Sequence, residues 1–304
     1  MQLIRPDTRY DFIGKKKFTI WISVIAILVS LGSIAVQGGL KYGVDFAGGL
    51  LVQVKFAKPI DIADVRSGLE ALGFKDANVQ KFGEGDEFLV RVEKASENLD
   101  EISKTIQSSI RERFKDKVPE IRRVELVGPK VGKDLKTKAI WATGLSFLAI
   151  LIYVAVRFHE LSYGLGGIVA LLHDILITFG AISILRLEFS LSLLAVILTI
   201  IGFSINDTIV IFDRVRENIK KLRKEDLPTI FNISINETLG RTILTSGTVM
   251  IVVLILLFFG GPVIHDFALA LVIGLISGTY STVYVASPVV LLWEKYVTTR
   301  RRRR

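Results

Sequence analysis

Six long apolar runs dominate this chain and restrict its fold more than any other feature. A helix needs about 20 apolar residues to cross the roughly 30 Å hydrocarbon core of a bilayer. Apolar runs of about this length lie at 18–36, 139–156, 165–185, 190–212, 243–260 and 266–292. The last run is longer than one crossing needs, so we expect it to tilt or to continue beyond the hydrocarbon. The sequence therefore predicts an α-helical polytopic membrane protein with six transmembrane helices.

The 37–138 segment, between the first two runs, has the composition of a folded, water-exposed domain. The mean hydropathy of the chain is +0.48, yet 23% of its residues are charged, and many of these lie here with both signs represented. Strand-like and helix-like patterns occupy 50–56, 62–72, 77–82, 87–92, 98–114 and 121–127, with a turn at Gly83–Asp86. Their order, β-α-β-β-α-β, predicts a ferredoxin-like α+β domain.

Basic clusters outside the apolar runs predict the orientation of the chain in the membrane. The formal net charge is +9, and the surplus lies at 1–17, within 213–242 and at 293–304. Basic residues beside membrane spans favour the cytoplasmic side. We therefore expect both termini and 213–242 in the cytoplasm, and 37–138 outside. The clusters lack interleaved aromatic residues and known reader motifs, which argues against nucleic-acid binding.

The sequence lacks the motifs of several enzyme classes. It has no cysteine, which excludes disulfides and thiolate metal sites. It has no phosphate-binding glycine loop, no metal-ligand spacing and no nucleophile–base motif. We therefore expect no enzymatic activity, no cofactor and no metal. The first apolar run is longer than a signal-peptide core and lacks a good cleavage site, so we expect a retained anchor.

The 213–242 segment is expected to be an amphipathic cytoplasmic loop, made of a basic helix, a break at Pro228 and a second amphipathic piece. The apolar residues expected at the lipid headgroup boundary are Ile230, Phe231, Ile233 and Ile235. A connector resting on the membrane is favoured over a docking site. Asn232 and Asn236 match a glycosylation pattern, but they lie on the predicted inner side, so we discount it.

Asp207 is the strongest candidate for a functional residue. An ionisable side chain inside a membrane helix costs about 2.5–3.5 kcal/mol on insertion scales, so it needs a partner, a water path or a function. Asp207 lies roughly 8 Å before the predicted inner end of the fourth run, and Ser204, Asn206 and Thr208 add hydrogen-bonding groups. Such a carboxylate can be protonated from one side and release its proton to the other. The alternative is a structural aspartate held by a fixed basic partner.

Arg241, at the inner entrance of the fifth run, is the candidate partner of Asp207. If the fourth and fifth helices pack side by side, this guanidinium reaches the depth of Asp207. Its approach or withdrawal would then time proton release. Thr245 and Ser246 extend the polar surface. The alternative is an interfacial arginine that follows the positive-inside rule.

Two further features lie in the third and sixth runs. His173 and Asp174 occupy the middle of the third run, where an aspartate needs help from another helix. Membership of a proton relay and a structural interhelical hydrogen bond both fit Asp174, whereas His173 is more typical of a packing residue. Gly274 and Gly278 form a small-x-x-x-small pattern, for which we expect a packing role.

Four motifs together resemble those of the SecD/SecF family of export membrane proteins, within the resistance-nodulation-division superfamily. They are Tyr10-Asp11-Phe12, Gly43-Val44-Asp45-Phe46-Ala47-Gly48-Gly49, Ser204-Ile205-Asn206-Asp207-Thr208 with Phe212 to Asn218, and Arg241-Thr242 with Thr245-Ser246-Gly247. Ala47 is a minor departure, because the family often has a hydroxyl residue there. The first motif, the chain length and the small outer domain favour the SecF branch over the SecD branch.

The resemblance implies a function and a set of partners. A SecF-type chain would pair with SecD in a twelve-helix unit of the bacterial cytoplasmic (inner) membrane, beside the SecYEG channel, with SecA, YidC and YajC in the wider assembly. The unit would use the proton motive force to pull unfolded exported polypeptides outward. Asp207 would carry the proton and Arg241 would be its partner. The further candidates for relay or helix-contact groups are Asp174, Ser204, Asn206, Thr245 and Ser246.

Two other functions stay open on the sequence. One is half of a small-molecule exporter of the same superfamily, for which the outer domain is small. The other is a non-transporting assembly factor of the translocon. The expected coupling ion is H⁺ rather than Na⁺, because a single carboxylate next to an arginine suits proton exchange better than an oxygen-rich ion cage.

Overall fold

The computed structural model describes residues 9–74, 77–82, 85–92, 99–158 and 160–302. The chain forms two compact units. The sheet unit comprises Tyr42–Ala142 and Glu188–Leu191, and the helical unit comprises Met1–Lys41, Thr143–Leu187 and Ser192–Arg304. The elements in chain order are α1 (Lys16–Val36), α2 (Val44–Ala47), β1 (Gly49–Phe56), α3 (Ile62–Ala71), β2 (Ala77–Lys81), β3 (Glu87–Val92), α4 (Leu99–Arg113), β4 (Pro119–Val127), α5 (Pro129–Phe158), α6 (Leu161–Ile184), α7 (Leu191–Lys221), α8 (Leu227–Phe259), α9 (Pro262–Ser281), a π-helical turn (Thr282–Ala286) and α10 (Ser287–Arg302).

The sheet unit has the predicted ferredoxin-like fold. Its four strands lie in the order β2-β3-β1-β4, and every neighbouring pair is antiparallel. Because side chains alternate between the two faces of a strand, Leu50, Val52 and Val54 of β1 all point into one core, where they are fully buried. Leu69 of α3 and Ile106 of α4 cover this face of the sheet. The predicted turn residues Gly83 and Glu84, and the predicted helix start at Asn98, lie outside the described residues.

Within the described residues, six helices are long and apolar enough to cross a membrane, which confirms the predicted number of spans. They are α1, α5, α6, α7, α8 and a composite helix over Val263–Val297. The composite helix contains α9, the π-helical turn and part of α10. Its length explains why the last apolar run exceeds one crossing.

Most of the 213–242 segment is helix rather than loop. Helix α7 continues to Lys221 and α8 begins at Leu227, so only 222–226 connect them. Asp226 caps α8, because its carboxylate accepts a hydrogen bond of 3.1 Å from the Thr229 amide. The hydrogen bonds from Thr229 also lower the pKa of this carboxyl. Pro228 lies in the first turn, where no amide donor is needed, and therefore starts a helix instead of breaking one.

Three of the four apolar residues named for this segment face the protein, and the fourth, Ile233, is half-buried. Ile230, Phe231 and Ile235 are all buried, and the Phe231 ring packs against Phe212 of α7 with centroids 6.4 Å apart. The expectation that these residues lie at the lipid headgroups is therefore wrong for Ile230, Phe231 and Ile235. The amphipathic pattern was real, but its apolar face packs on a neighbouring helix because α7 extends equally far.

The amides of Asn232 and Asn236 hold the chain that precedes α1. Asn236 donates to the Tyr10 carbonyl and accepts from the Tyr10 amide, both at 2.8 Å. Asn232 accepts from the Phe12 amide, also at 2.8 Å. Ile13, the last residue of the 10–13 stretch, is 4% exposed. The two asparagines therefore have a structural role in joining residues 10–13 to α8.

Gly274 and Gly278 allow α9 to lie against α7. A Cβ atom on Gly274 would come within 1.9 Å of Ile200 Cδ1, and one on Gly278 within 3.2 Å of Ser204 Cβ. Small residues permit this close approach of two helices. The geometry supports the packing role predicted for the pair.

Candidate functional site

Asp207 lies in α7 with almost no hydrogen-bonding support. Its side chain is 3% exposed. Ser246 Oγ, from α8, donates a long hydrogen bond of 3.4 Å to Asp207 Oδ2, and Thr279 Oγ1 of α9 donates to Ser246 Oγ at 3.2 Å. In the described part of the chain, Asp207 has no other hydrogen bond. Burial without a full set of donors destabilises the charged form of a carboxylate, so this group is suited to gaining and losing a proton.

Arg241 is not a fixed partner of this carboxylate. Its side chain is exposed on α8, in the turn that precedes Ser246. No ion pair joins it to Asp207 within the residues that the structure describes. Within the described residues, Asp207 therefore lacks the fixed basic partner that the alternative of a structural aspartate requires. The guanidinium and the carboxylate are placed on the neighbouring helices that the sequence predicted for them.

Asp174, in α6, has the opposite surroundings. Ser204 of α7 and Ser281 of α9 donate to Oδ2 at 2.6 and 2.7 Å, and Ser277 of α9 donates to Oδ1 at 2.6 Å. His173 Nδ1 lies 3.0 Å from Oδ1. An ionised carboxylate has about four acceptor positions, and here four groups occupy them. Asp174, which is 1% exposed, thus has its acceptor positions filled by side chains of α6, α7 and α9.

The Asp174 network continues to α1. The His173 ring stacks on Tyr280 with centroids 5.9 Å apart. The Tyr280 hydroxyl donates to the Thr19 carbonyl at 2.7 Å and lies 3.1 Å from Ser23 Oγ. Thr208 of α7 contacts Thr282, in the π-helical turn, at 3.2 Å between hydroxyl oxygens. Helices α1, α6, α7 and α9 therefore share one buried polar network.

Three candidate residues from the sequence differ from Asp207 in their surroundings. Ser204 hydrogen-bonds Asp174 and does not join Asp207. Asn206 is exposed, because helical geometry turns it away from its neighbour Asp207. Thr245 donates to the carbonyls of Arg241 and Thr242 in its own helix. Ser246 is the candidate that reaches the carboxylate.

Ser277 and Ser281, which donate to Asp174, were not predicted from the sequence as site residues. Their spacing of i, i+4 puts them on one helix face, and this face turns towards Asp174. That spacing was the available signal, but nothing in the sequence tells which helix the face contacts. Across the described residues, no group of three or more His, Asp or Glu side chains could hold a metal ion.

The signature residues Gly43, Asp45, Phe46, Gly48 and Gly49 lie in the sheet unit, apart from this carboxylate network. Asp45 and Phe46 lie in α2, Gly43 and Gly48 flank this helix, and Gly49 begins β1. Asp45 accepts a hydrogen bond from the Leu191 amide. The signature therefore has structural partners of its own.

Comparisons with known proteins agree with this architecture. Residues 106–296 match the family described as protein export membrane protein SecD/SecF, C-terminal, and residues 32–60 match the SecD/SecF GG motif. A protein translocase subunit SecF from Calditerrivibrio nitroreducens is 45% identical, with 96% of each chain covered. Another SecF from Magnetococcus marinus is also 45% identical, over 97% of this chain and 95% of the relative.

A solved structure of a SecDF protein has a similar fold. The crystal structure of SecDF, described as a translocon-associated membrane protein from Thermus, superposes with a TM-score of 0.85 and 35% sequence identity. The match covers 96% of this chain and 40% of the SecDF chain, so the chain spans less than half of that protein. By sequence, motif and fold, the chain belongs to the SecD/SecF family of membrane proteins, as a member of the SecF branch.

Proposed function

We propose that this chain is the SecF subunit of a SecDF motor, which uses the proton motive force to assist late protein translocation through SecYEG. It acts in the bacterial cytoplasmic membrane with both termini inside, and it is a motor subunit rather than an enzyme. SecA, YidC and YajC belong to the wider assembly, and unfolded exported polypeptides are its substrates.

The observation that carries the proposal is the contrast between the two buried aspartates. Asp174 has four neighbours that satisfy an anion, whereas Asp207 has one long hydrogen bond. Hydrogen-bond donors that are fixed around a carboxylate stabilise its charged form. A buried carboxyl group without such donors therefore takes up a proton again more easily after losing it. Asp207 is therefore the proton carrier, and Asp174 is the fixed hydrogen-bond acceptor that holds the helices around it.

SecD supplies the second half of the motor. The chain covers 40% of a solved SecDF chain, which leaves room for a second set of helices. Asn206 and Arg241 are exposed near Asp207. Polar side chains of membrane helices face a bundle interior or a water-filled cavity rather than lipid. These two residues therefore fit an interface with SecD that closes around the proton site.

The test is precursor processing in cells depleted of the native protein and complemented with wild type or Asp207→Asn. The expected result is accumulation of unprocessed precursors with Asp207→Asn, at normal membrane level and with SecD co-purifying. Asp134→Asn is the control, because Asp134 is 60% exposed and pairs with Lys138 in the same turn. Normal export by Asp207→Asn would reject the motor proposal and favour the assembly-factor alternative.

A further inference from the structure

The family signature holds the start of the helix that carries Asp207. The Leu191 amide, at the first residue of α7, donates to Asp45 Oδ2 at 2.9 Å. The Gly43 amide donates to the Phe189 carbonyl, also at 2.9 Å. The Phe46 ring stacks on Phe189 with centroids 5.6 Å apart. All these residues belong to the sheet unit.

The Asp45 bond acts on a helix end that needs an acceptor. The first amides of a helix have no partner within the helix, and the positive end of the helix dipole attracts a negative charge. Caps of this kind usually come from the residue just before the helix. Here the carboxylate comes from 146 positions earlier in the chain. The start of α7 is therefore linked to the fold of the sheet unit.

The same segment also contacts the start of α5. Gly48 has a φ of +77° and Gly49 a φ of +123°, so side chains are disfavoured at both positions. A Cβ atom on Gly48 would come within 3.0 Å of the Pro129 Cα atom, at the first residue of α5. A Cβ atom on Gly132 would come within 3.1 Å of the Phe46 carbonyl oxygen. The signature thus meets β1, α5 and α7 within one short segment.

We propose that the signature segment 43–49 is a mechanical joint between the sheet unit and α7. Asp45 is the positioning residue, because it hydrogen-bonds the first residue of the helix that carries Asp207. Asp207 follows Leu191 on the same helix, at a rise of about 1.5 Å per residue. A helix transmits displacement along its axis, so a shift of α7 on proton exchange reaches the sheet unit through the Asp45–Leu191 bond. The inference rests on the proposed proton function of Asp207.

The absence of cysteine in the sequence allows a direct test. Spin labels are placed at Ser67→Cys in α3 and Ile264→Cys in α9, both exposed, in the complex with a cysteine-free SecD in vesicles. The distance distribution between the labels is measured at acidic and alkaline pH. We expect a pH-dependent shift in the otherwise wild-type chain and none in Asp207→Asn.

Two variants remove the joint from opposite sides. Asp45→Ala removes the acceptor, and Leu191→Pro removes the donor while leaving a residue that suits the first position of a helix. Both should lose the pH-dependent shift at normal membrane level and with SecD bound. Asp45→Asn keeps an acceptor oxygen and should retain part of the pH-dependent shift. Asp61→Ala is the matched control, because Asp61 caps α3 with a 2.8 Å bond from the Ala63 amide and should leave the shift unchanged.

The outcomes separate this inference from the proposed function. A full shift in both Asp45→Ala and Leu191→Pro, together with its loss in Asp207→Asn, would overturn the joint and leave the proton function standing. An equal loss in Asp61→Ala would also overturn it, because any lost cap would then have the same effect. A shift that persists in Asp207→Asn, or that never occurs, would reject the proposed function and with it the joint.

Discussion

At the scale of residues, the two buried aspartates of this chain show how neighbours decide what a carboxylate does. Both lie in apolar helices, and burial alone does not separate them. The serines of α7 and α9 donate three short hydrogen bonds to the Asp174 carboxyl group. Asp207 has only the long bond from Ser246. The first arrangement favours a fixed hydrogen-bond acceptor, and the second favours a group that exchanges protons.

Asp174→Asn should destabilise the protein far more than Asp207→Asn. The amide carries no charge, and its NH2 group cannot accept a hydrogen bond, so the donors at one of the two carboxylate oxygens lose their acceptor. We expect a loss of about 3 kcal/mol in the free energy of unfolding. Asp207→Asn affects only one long hydrogen bond and should change the free energy of unfolding by less than about 1 kcal/mol. Unfolding of both variants in the purified complex gives the comparison. Equal stability of the two variants would show that the Asp174 network does not hold the helices.

The Asp226 cap predicts a local dependence on pH. Because its pKa is lower in the folded protein, its contribution is complete above the ordinary aspartate value of about 4 and is lost as the pH falls through the folded value. At neutral pH, amide exchange in the first turn of α8 should be slow, and Asp226→Ala should accelerate it. Glu225→Ala, next to the cap and also exposed, should have no such effect. Unchanged exchange in Asp226→Ala would contradict the cap.

At the scale of elements, hydropathy predicted how many spans exist but not how long the helices are. The fourth apolar run ends at 212, but helix α7 continues to Lys221. The fifth run begins at 243, but helix α8 already begins at Leu227. Hydropathy reports the surrounding solvent, and a helix continues in water when a cap and a packed face support it. The ferredoxin-like unit was predictable because its strands have clear alternation. The pairing of Asp174 with Ser277 and Ser281 was not, since it depends on which helices meet.

The glycines of α9 should be sensitive to size. Gly274→Ala puts a Cβ atom against Ile200, and such overpacking costs about 1–3 kcal/mol of folding free energy. Gly247→Ala, in α8, is a matched control because a Cβ atom there meets nothing within 4 Å. Adding Ile200→Ala to Gly274→Ala should restore part of the loss. Thermal unfolding of the three variants beside the wild type tests this, and equal effects of Gly274→Ala and Gly247→Ala would disprove the close contact.

The segment before α1 should come loose when its amide partner is removed. Asn236→Ala loses both 2.8 Å bonds to Tyr10. Ile13→Cys, buried in the parent chain, should then react faster with a membrane-permeant thiol reagent. Ile13→Cys with Asn236 intact is the reference. Equal labelling rates in the two would mean that the asparagine does not hold this segment.

At the scale of the whole molecule, the helix that carries the proton site also begins at a residue held by the signature. Asp207 is in the helical unit, and the first residue of the same helix, Leu191, is in the sheet unit. This continuity offers a route from proton exchange to movement of the domain that would handle exported chains. The resemblance of the motifs predicted the family, but the partners of the signature depend on the folded structure.

The ion that drives the cycle follows from the same site. Asp207 has one hydroxyl oxygen within bonding distance among the described residues, whereas an ion cage needs several oxygen ligands. A proton gradient should therefore suffice without Na⁺.

The most direct measurement is translocation of a precursor into vesicles that contain SecYEG, SecA and SecDF, with and without an imposed proton gradient. The gradient should stimulate late translocation with the wild-type chain in Na⁺-free buffer, and Asp207→Asn should abolish this stimulation. Equal stimulation with Asp207→Asn would contradict the assignment of Asp207 as the proton carrier.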